Sequence, residues 1–431
     1  MRYVIIGGSA AGINAIEAIR SVDPKGKITL VSDEQDSLYS RCLITYYLAG
    51  AIPEEKLKYR AEDFFAKHNV ETVLGEKVKK VNGKDKTVKL TNGKAVSFDK
   101  LLIAAGASPK MMERLRDGEM VRKRVLGIRG IEDIRNIKRL LNNVKTVAIL
   151  GGGLIGLRAA YALNACGKDV KVIVKSNRVL SQMLDEGGAA LIQKRIEEKG
   201  IEVMTGVAVK EVVGDKAVTG LILDNGEKLD CQLVIVGKGV SPNIDLVNKK
   251  EIKTDWGILV NDYLQTSLSD IYAAGDCAQS KDLLTGESTI NALWPCAVQQ
   301  GKIAGLNMAG KRKQYQGSMA MNSVEFFGLP TISLGITRPR GEGYEVLSKK
   351  VASKDQYKKM VLRDNRIVGV VLVGDIDKAG IYGSLMQKKV DVSLIKQWLL
   401  DDNFNFAKIL PVIGENKDRF AEKAYQSYVL T

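Results

Sequence analysis

The stretch Tyr3-Val-Ile-Ile-Gly-Gly-Ser-Ala-Ala-Gly12 decides the fold, because it returns later in the chain as Val147-Ala-Ile-Leu-Gly-Gly-Gly-Leu-Ile-Gly156. Each stretch is an apolar run that ends in a glycine-rich turn. A segment with helical spacing and a second apolar run follow each turn, and the second runs end at Val31 and at Val174. Strand, turn, helix and strand in this order are typical of an α/β protein with a parallel sheet. Two such units predict two bound nucleotides.

The glycine turns carry the evidence for nucleotide binding. The first glycine allows a tight turn, small residues let the backbone approach a pyrophosphate, and the N-terminus of the following helix offers its N–H groups to the anion. One such turn is weak evidence, whereas two turns with matching strands around them are strong evidence. The predicted phosphate contacts are Gly7, Ser9, Ala10, Ala11 and Gly12 at the first turn, and Gly151, Gly153, Leu154, Ile155 and Gly156 at the second.

The residues that follow the second strand of each unit differ in charge. Asp33 and Glu34 follow the first of these strands, where a carboxylate accepts hydrogen bonds from a ribose. Lys175, Ser176 and Arg178 follow the other, and no acidic residue stands among them. These side chains suit the 2′-phosphate of NADPH, so the sequence favours NADPH over NADH at the second site. The alternative is a basic loop that is merely solvated.

Composition excludes several kinds of site. The chain has 431 residues, of which 45% are hydrophobic and 27% charged, as expected for about three globular domains. His68 is the one histidine, which excludes a zinc site built from two or three histidines. The five cysteines are scattered without a CxxC pair, so we expect no metal site, no iron–sulfur cluster and no dithiol of the thioredoxin type. Their number and spacing favour the reducing cytoplasm.

The net charge of +15 predicts an acidic partner. The basic residues are spread along the chain without interleaved aromatic residues, which argues against nucleic acid as that partner. No apolar run approaches the roughly 18 residues that a membrane helix needs, so no membrane span is expected. An acidic protein is the partner that the charge favours.

Three further segments resemble those of one known family. They are Leu-Leu-Ile-Ala-Ala-Gly-Ala-Ser-Pro at 101–109, Ile-Val-Gly-Lys-Gly-Val-Ser-Pro-Asn at 235–243, and Thr-Ser-Leu-Ser-Asp-Ile-Tyr-Ala-Ala-Gly-Asp-Cys-Ala at 266–278. Together with the two glycine turns they resemble, in the same order, the motifs of the FAD- and NAD(P)-dependent pyridine nucleotide–disulfide oxidoreductases. Within that family the chain is most similar to the NAD(P)H:rubredoxin and ferredoxin reductases, the flavin modules of nitrite reductases and the NADH oxidases.

The resemblance implies an α/β fold with two Rossmann-like dinucleotide-binding domains of the ββα type. An FAD domain would comprise residues 1–110 and 232–310, and an NAD(P) domain, residues 111–231, would be inserted in it. A C-terminal α+β domain, residues 311–431, would follow. In relatives this domain covers the flavin, and it can form the interface of a homodimer.

The C-terminal domain gives weaker signals of its own. Residues 360–363 and 367–372 are expected to form strands, and residues 390–400 a helix. The last residues, from Pro411 onward, match nothing assignable and are interpreted as a docking tail.

The resemblance also assigns roles to site residues. The residues of the first glycine turn would cradle the FAD pyrophosphate, and Asp33 or Glu34 would bind the adenosine ribose. Arg41 would be a further phosphate contact and Asp276 the contact to the ribityl chain. A helix beginning at Trp294 would direct its N-terminus at the isoalloxazine ring. The other cofactor contacts that the resemblance implies are Val78, Ala105, Gly106, Gly239, Gly275 and Ala297.

The chain also departs from the family's patterns. The paired redox cysteines are missing, and the single Cys42 stands where NADH oxidases, peroxidases and CoA-disulfide reductases have their redox cysteine. Ala10 replaces the histidine that peroxidases carry in the first glycine turn. Arg158 replaces a glutamate that many relatives use near the nicotinamide. Its role is open between pairing with a local acid and pairing with a cofactor phosphate.

These observations predict an FAD-dependent NAD(P)H oxidoreductase. A hydride would pass from the nicotinamide C4 to the flavin N5, and the electrons would leave to an acidic iron–sulfur protein such as ferredoxin, rubredoxin or a ferredoxin-like subunit. The alternative is an NAD(P)H oxidase, peroxidase or CoA-disulfide reductase that uses Cys42. A flavoprotein module that only assembles a complex is a third interpretation.

Overall fold

The first glycine turn follows the central strand of a parallel sheet. The computed structural model describes residues 1–112 and 123–420. Its first segment contains β1 (Arg2–Ile6), β2 (Lys27–Ser32), β3 (Val70–Leu74), β4 (Val78–Asn82), β5 (Thr87–Leu90), β6 (Ala95–Ser97), β7 (Lys100–Ile103) and β8 (Ala107–Pro109), with α1 (Ala10–Arg20), α2 (Ile44–Leu48) and α3 (Phe64–Lys67). Strand β1 pairs in parallel with β2 on one side and β7 on the other. Strands β4, β5 and β6 form a separate antiparallel sheet, the first meander.

The second glycine turn repeats this arrangement in an inserted unit. Its elements are β9 (Val125–Gly127), β10 (Thr146–Leu150), β11 (Asp169–Val174), β12 (Glu202–Thr205), β13 (Val209–Val213), β14 (Gly220–Leu223), β15 (Lys228–Asp230) and β16 (Leu233–Val236), with α4 (Ile131–Leu141), α5 (Leu154–Ala165) and α6 (Glu186–Glu197). The parallel sheet has the order β12-β11-β10-β16-β9, and β13 to β15 form a second meander. The two units are therefore structural repeats.

The chain then returns to the first unit. This segment contains β17 (Val240–Pro242), β18 (Ile258–Leu259), β19 (Ile271–Ala273), β20 (Ala278–Lys281), β21 (Ser288–Thr289) and α7 (Trp294–Met308). Strand β19 pairs in parallel with β7 and completes the sheet order β19-β7-β1-β2-β3. Strand β17 pairs with β8, so the segments 101–109 and 235–243 lie side by side. The prediction of one dinucleotide-binding unit inserted in another is confirmed.

The C-terminal unit is an antiparallel sheet with helices on one face. It contains β22 (Met321–Phe326), β23 (Leu329–Gly335), β24 (Glu345–Val351), β25 (Gln356–Arg363), β26 (Arg366–Val373), α8 (Ala379–Gln387) and α9 (Leu410–Glu415). The strand order is β22-β23-β26-β25-β24. One face of the sheet packs on α8 and the segments after it, and the other packs on the inserted unit. This is the expected α+β architecture, and both predicted strands are present.

The structure corrects the helix predicted near the C-terminus. The tail interpreted as a docking segment lies only partly within the described residues. The helix predicted over residues 390–400 is only a 3-10 helix, Ser393–Trp398. It starts late because Asp391 forms a β-bridge with Arg366 and the N–H of Val392 donates to the Asn365 carbonyl, which keeps this stretch extended. Of the interpreted tail, residues 411–420 contain most of α9 and a short 3-10 turn, and residues 421–431 lie outside the described residues.

Helices α1 and α7 pack closely enough to require small residues. Gly301 of α7 lies against the backbone of Ala11, and Gly305 lies against that of Ala15. This contact connects the first glycine turn to the N-terminal part of α7. It brings together two motifs that are almost 300 residues apart.

Candidate functional site

The two glycine turns have the same geometry at the carboxyl edges of the two parallel sheets. Gly7 has a φ of +106° and Gly151 a φ of +117°, a conformation that residues with a Cβ rarely adopt. A methyl group on Gly12 would overlap the carbonyl oxygen of Gly7, and one on Gly156 would overlap that of Gly151. Each turn thus brings bare backbone to the place where a pyrophosphate is predicted.

The helices after the two turns begin without a side-chain cap. Ser9 precedes α1 and Gly153 precedes α5, and neither position provides a side-chain hydrogen bond to the first helical turn. The first N–H groups of both helices are therefore available to an anion, and the helix dipole adds partial positive charge there. The first-turn residues that were predicted as phosphate contacts are Ala10 and Ala11 in α1, and Leu154 and Ile155 in α5.

Arg41 connects the first glycine turn to the inserted unit. Its Nε donates to Ser9 Oγ at 3.3 Å, and its Nη1 donates to the backbone carbonyl of Arg129 at 2.8 Å. Its Nη2 forms an ion pair with Glu34 at 2.7 Å. Glu34 is thus engaged inside the protein, whereas Asp33 is exposed after β2. Of the two ribose candidates, Asp33 has the more accessible carboxylate.

Asp276 lies beside an arginine that the sequence motifs do not include. Its Oδ2 accepts a hydrogen bond from Arg129 Nη2 at 2.8 Å, and only 15% of the Asp276 side chain is exposed. Arg129 also reaches Gly106, because a Cβ built on that glycine would lie 3.2 Å from the guanidinium. Arg129 stands two residues after β9, at the edge of a parallel sheet where ligands bind. Its position just past the end of a strand is the sequence signal from which Arg129 could have been predicted as a site residue.

Helix α7 begins at Trp294, as predicted, and its first turns face the residues before Asp276. A Cβ built on Gly275 would lie 3.6 Å from the Cβ of Ala297. The N–H of Gly275 donates to Gln300 Oε1 at 2.7 Å, and Gln300 is buried. The motifs do not include Gln300 either. A glutamine on the buried face of a helix is a signal for such an internal hydrogen bond.

Four of the predicted contacts hold backbone or interior positions. Asn243 donates from its backbone N–H to the Gly106 carbonyl at 3.0 Å and from Nδ2 to the Ala105 carbonyl at 2.8 Å. Gly239 lies just before β17 in the same ribbon, and Val78 is buried at the start of β4. These residues line the region with backbone and small apolar groups rather than with charge.

In the basic loop of the second site, two of the three predicted ligands form hydrogen bonds to backbone carbonyls of the chain itself. Ser176 Oγ donates to the Arg178 carbonyl at 2.8 Å, and Arg178 Nε donates to the Leu184 carbonyl at 3.2 Å. Lys175 is exposed and has no ion pair within the described residues. Of the three predicted ligands for a 2′-phosphate, Lys175 is the one that faces solvent with its charge unengaged.

Lys238 brings a second ammonium group to this edge, and the family resemblance gives this lysine no role. Leu150 on β10 pairs with Ile173 on β11 and with Val236 on β16, so Lys175 and Lys238 each lie two residues beyond a matching register position. Desolvation lowers the pKa of Lys238, and the positive charge of Lys175 lowers it further. Two mutually repelling ammonium groups at a carboxyl edge suit an anion between them.

Arg158 joins the three units by stacking on aromatic rings. Its guanidinium lies 4.2 Å from the ring centre of Tyr46 and 5.2 Å from that of Tyr161. It donates to Thr45 Oγ1 at 3.3 Å and to the backbone carbonyl of Glu325 at 3.4 Å. Within residues 1–112 and 123–420 its contacts are therefore aromatic faces and neutral oxygens, and a pairing with a local carboxylate is not observed.

Cys42 lies on the 3-10 turn Arg41–Leu43, directly before α2, and it is exposed. Desolvation of its sulfur nevertheless raises the pKa of the Cys42 thiol, and the negative charge of Asp276 raises it further. The neighbouring Arg41 has its guanidinium paired with Glu34. A raised pKa disfavours the thiolate, which is the reactive form of cysteine.

The other four cysteines are free and serve packing. Cys231, Cys277 and Cys296 are buried, and burial raises the pKa of Cys277 to about 11. Cys166 donates from Sγ to the Leu48 carbonyl at 3.1 Å and so connects α5 to α2. In the part of the chain that the structure describes, no three histidine, cysteine or acidic side chains form a group that could hold a metal ion. No helix among the same residues has the length and apolar character to cross a membrane.

Two family models match the chain. Residues 1–301 match the model described as pyridine nucleotide-disulphide oxidoreductase. Residues 321–390 match the model described as the rubredoxin NAD+ reductase C-terminal domain. Together they cover both dinucleotide-binding units and most of the antiparallel sheet.

Several known proteins are similar over most of this chain. The NADH-dependent phenylglyoxylate dehydrogenase subunit epsilon of Aromatoleum evansii is 31% identical, covering 92% of this chain and 93% of its own. The NADH oxidase of Methanocaldococcus jannaschii is 35% identical, and the similar region covers 73% of this chain and 71% of the oxidase chain. The nitrite reductase [NAD(P)H] of Bacillus subtilis is 32% identical, but this chain spans only 48% of its length.

A solved structure agrees in fold. The NAD-dependent persulfide reductase of A. fulgidus superposes with a TM-score of 0.84 at 25% identity, covering 98% of this chain and 84% of that one. The family match, the relatives and the paired glycine turns all point the same way. This chain belongs to the pyridine nucleotide-disulphide oxidoreductase family and is a flavin-dependent NAD(P)H oxidoreductase.

Proposed function

We propose that this protein takes electrons from NAD(P)H and delivers them to a small acidic iron–sulfur protein or to a ferredoxin-like subunit. The observation that carries the donor half is the pair of glycine turns of one geometry in two adjoining units. The acceptor half is supported by the match of residues 321–390 to the C-terminal domain of rubredoxin reductase and by the net charge of +15. Opposite charges raise the encounter rate of short-lived electron-transfer complexes.

The first unit fits FAD by its shape and charge. The glycine cradle and the uncapped N-terminus of α1 suit the pyrophosphate, and Arg41, whose guanidinium is paired with Glu34, stands beside Ser9 as the further phosphate contact. Asp276 suits the ribityl hydroxyls, and its ion pair with Arg129 keeps the carboxylate in place. Asp33 offers its exposed carboxylate to the adenosine ribose.

The chain positions reactants and shapes the charge around them. The small residues Gly275 and Ala297 allow a flat ring to approach the backbone, and the N-terminus of α7 stabilises negative charge near it. FAD, when bound, supplies a centre that accepts a hydride and releases electrons one at a time. Because hydride transfer needs no general base, a protein with one histidine can perform it.

The cofactor at the second unit is proposed to be NADPH rather than NADH. Lys175 and Lys238 would hold the 2′-phosphate between two ammonium groups, with Ser176 and Arg178 in the same loop. NADH in the printed names of two relatives argues the other way, so the preference rests on these basic residues. The five free thiols fit the cytoplasmic location expected from the sequence. A homodimer stays a prediction, and light scattering would test it.

The test of the main proposal is an anaerobic titration followed by an acceptor assay. We expect NAD(P)H to bleach the bound flavin with about two electrons per flavin. Purified ferredoxin or rubredoxin should then accept electrons faster than oxygen, peroxide or a disulfide does. Brisk turnover with oxygen or a disulfide and none with an iron–sulfur protein would contradict the proposal. A flavin that neither nicotinamide reduces would instead indicate a module that only assembles a complex.

The second candidate function is an oxidase, peroxidase or disulfide reductase that uses Cys42. It is favoured by the exposed position of Cys42 on the turn before α2 and by the similarity to an NADH oxidase and a persulfide reductase. Its specific signature would be uptake of about four electrons per flavin, with a long-wavelength band halfway through the titration that is lost in Cys42→Ser.

A further inference from the structure

The segment from Leu246 to Trp256 runs along the edge of the first meander. The N–H of Val81 donates to the Leu246 carbonyl at 2.7 Å, and Val81 and Val247 form a parallel β-bridge. The N–H of Gly83 donates to Glu251 Oε2 at 3.2 Å. The segment and the meander therefore form one continuous surface, which we call the basic edge.

The basic edge carries exposed lysines that form no ion pair among the described residues, although Glu251 and Asp255 stand among them and accept hydrogen bonds from Gly83 and Gln279. On the meander, Lys80 and Lys89 stand directly opposite each other on β4 and β5, and both are exposed. Like charges in this arrangement destabilise a sheet. Lys249, Lys250 and Lys253 are exposed on the adjoining segment. Within the described residues none of these five ammonium groups forms an ion pair, so the cost of bringing them together is not offset inside the chain.

The same segment ends in an exposed tryptophan. Trp256 is 77% exposed at the tip of a tight turn that is closed by the N–H of Asp255 donating to the Gly257 carbonyl at 2.9 Å. The N–H of Leu259 donates to the Lys253 carbonyl at 3.1 Å, which fixes the turn beside that lysine. A large aromatic side chain in water is costly, and tryptophan is among the residues that most often dominate binding energy at interfaces.

The part of the basic edge that carries Lys253 and Trp256 lies at the opposite end of the first sheet from the glycine turns, whereas the meander begins at Val78, one of the predicted cofactor contacts. The N–H of Lys253 donates to Ser267 Oγ at 3.1 Å, and Ser267 Oγ donates to the Glu251 carbonyl at 2.9 Å. This contact lies just before Asp270, which precedes β19 and binds Lys100 at the start of β7. These are the amino ends of the strands, whereas the candidate flavin site is at their carboxyl ends. The four residues of β7 separate the two edges by roughly 10 Å.

We propose that the basic edge is the docking surface for a second protein, whose surface is acidic and has an apolar pocket for Trp256. Charge complementarity selects an acidic surface, and the exposed ring provides the anchor. Because the part with Lys253 and Trp256 lies at the far end of the sheet from the flavin site, a protein bound there holds the oxidoreductase in an assembly and leaves the electron-transfer surface open. The inference goes beyond the proposed function and does not depend on which acceptor the flavin serves.

The test compares two charge-reversal variants of equal net charge. Lys249→Glu/Lys250→Glu/Lys253→Glu removes the lysines beside Trp256. The matched control, Lys199→Glu/Lys216→Glu/Lys228→Glu, changes exposed lysines of the inserted unit by the same amount. Proteins that co-purify with the full chain from its own cells are identified, and the most abundant acidic one is produced in pure form. Its Kd is then measured for wild type, Trp256→Ala and both triple variants.

We expect Trp256→Ala and the Lys249/Lys250/Lys253 variant each to weaken binding at least tenfold, and the control to change it less than twofold. Binding should also protect Trp256 from acrylamide quenching, since Trp294 and Trp398 are already partly buried. Equal weakening by both triple variants, unprotected Trp256, or the absence of any protein whose binding depends on this edge would overturn the proposal. So would tight binding of duplex DNA or of vesicles with anionic phospholipid that only the first triple variant loses.

Electron transfer provides an independent control. All of these substitutions are at exposed positions outside the candidate flavin and nicotinamide sites, so NAD(P)H-dependent reduction of a quinone dye should be unchanged in every variant. Loss of docking with intact dye reduction concerns the basic edge alone. Failure of dye reduction in the wild-type protein would concern the proposed function alone.

Discussion

At the scale of single residues, the proposed preference for NADPH rests on Lys175 and Lys238. If both ammonium groups hold a 2′-phosphate, removing either one should act on NADPH and not on NADH. We expect Lys175→Ala and Lys238→Ala each to raise KM for NADPH about tenfold, or about 1.4 kcal/mol, and to change KM for NADH less than twofold. Lys199→Ala, an exposed lysine on the same unit, is the control. Equal effects on both coenzymes would show that these lysines do not read the 2′-phosphate.

Cys42 is expected to be slow to react. Because desolvation and Asp276 raise the pKa of its thiol, the thiolate fraction at pH 8 is smaller than in a free cysteine. We predict that iodoacetamide modifies Cys42 several-fold more slowly than it modifies glutathione at that pH. Cys42→Ser should retain NAD(P)H-dependent reduction of an iron–sulfur acceptor within about twofold. Rapid alkylation together with loss of activity would instead favour the Cys42-based alternative.

Single residues also show where sequence reasoning works. Gly7 and Gly12 could be predicted as site residues because only glycine fits there. A Cβ at either position would overlap backbone atoms, and Gly7 also has a positive φ. Arg129 and Gln300 were missed because arginine and glutamine are common at surfaces, and only the fold brings them to Asp276 and Gly275.

Helix α7 should depend on its glycine face for its position against α1. A methyl group on Gly301 would overlap the backbone of Ala11, so Gly301→Ala must push the two helices apart. We expect a loss of about 2 kcal/mol of unfolding free energy and weaker FAD retention after dialysis. Gly383→Ala in α8 is the matched control, since its new Cβ would meet only Leu334 at 3.7 Å. That change should be neutral or slightly stabilising. Equal stability of both variants would contradict the close-packing argument.

Helices and strands were predictable where the spacing of apolar residues and a turn signal in the sequence coincided. The two strand–turn–helix units have both signals, and β25 and β26 were found from the short, mostly apolar stretches at 360–363 and 367–372 within them. The helix expected over residues 390–400 was wrong in kind. Its apolar spacing is helical, but a β-bridge between Asp391 and Arg366 holds its first residues extended, and such long-range pairing leaves no mark in a local pattern.

At the scale of the whole molecule, an ion pair between a buried lysine and a half-buried aspartate connects the inserted unit to the C-terminal sheet. Asp185 caps α6, accepts a hydrogen bond from the Tyr357 hydroxyl at 2.7 Å and pairs with Lys359 at 2.7 Å, and the Lys359 side chain is 7% exposed. Removing Lys359 leaves the carboxylate partly buried without a counter-charge. We expect Lys359→Met to lower the unfolding free energy by about 3 kcal/mol at pH 7.

The contribution of the Asp185–Lys359 pair to stability should depend on pH. In the wild type, contacts with Lys359 and Tyr357 hold the pKa of Asp185 below its usual range despite burial, so the contribution of the pair is complete above about pH 4 and is lost as pH falls through the lowered pKa. In Lys359→Met the lowering by Lys359 is lost while the hydrogen bonds from Tyr357 and Gly188 remain, so the pKa of Asp185 should rise relative to the wild type. The difference in stability between the two proteins should therefore shrink from pH 7 toward pH 4, as measured by urea unfolding. Lys359→Met/Asp185→Asn should recover part of the loss, and a pH-independent difference would contradict the ion-pair explanation.

The net charge of the whole molecule predicts how its reaction with an acidic acceptor depends on salt. A protein of charge +15 that meets an acidic iron–sulfur protein gains its encounter rate from long-range attraction, which salt screens over about 8 Å at 0.15 M. We expect kcat/KM for reduction of the acidic protein to fall about tenfold between 0.02 and 0.5 M NaCl. Reduction of a neutral quinone has no such attraction and should change less than twofold over the same range. If both acceptors respond alike, salt acts on coenzyme binding or on the flavin, and the positive field of the molecule is not what selects its partner.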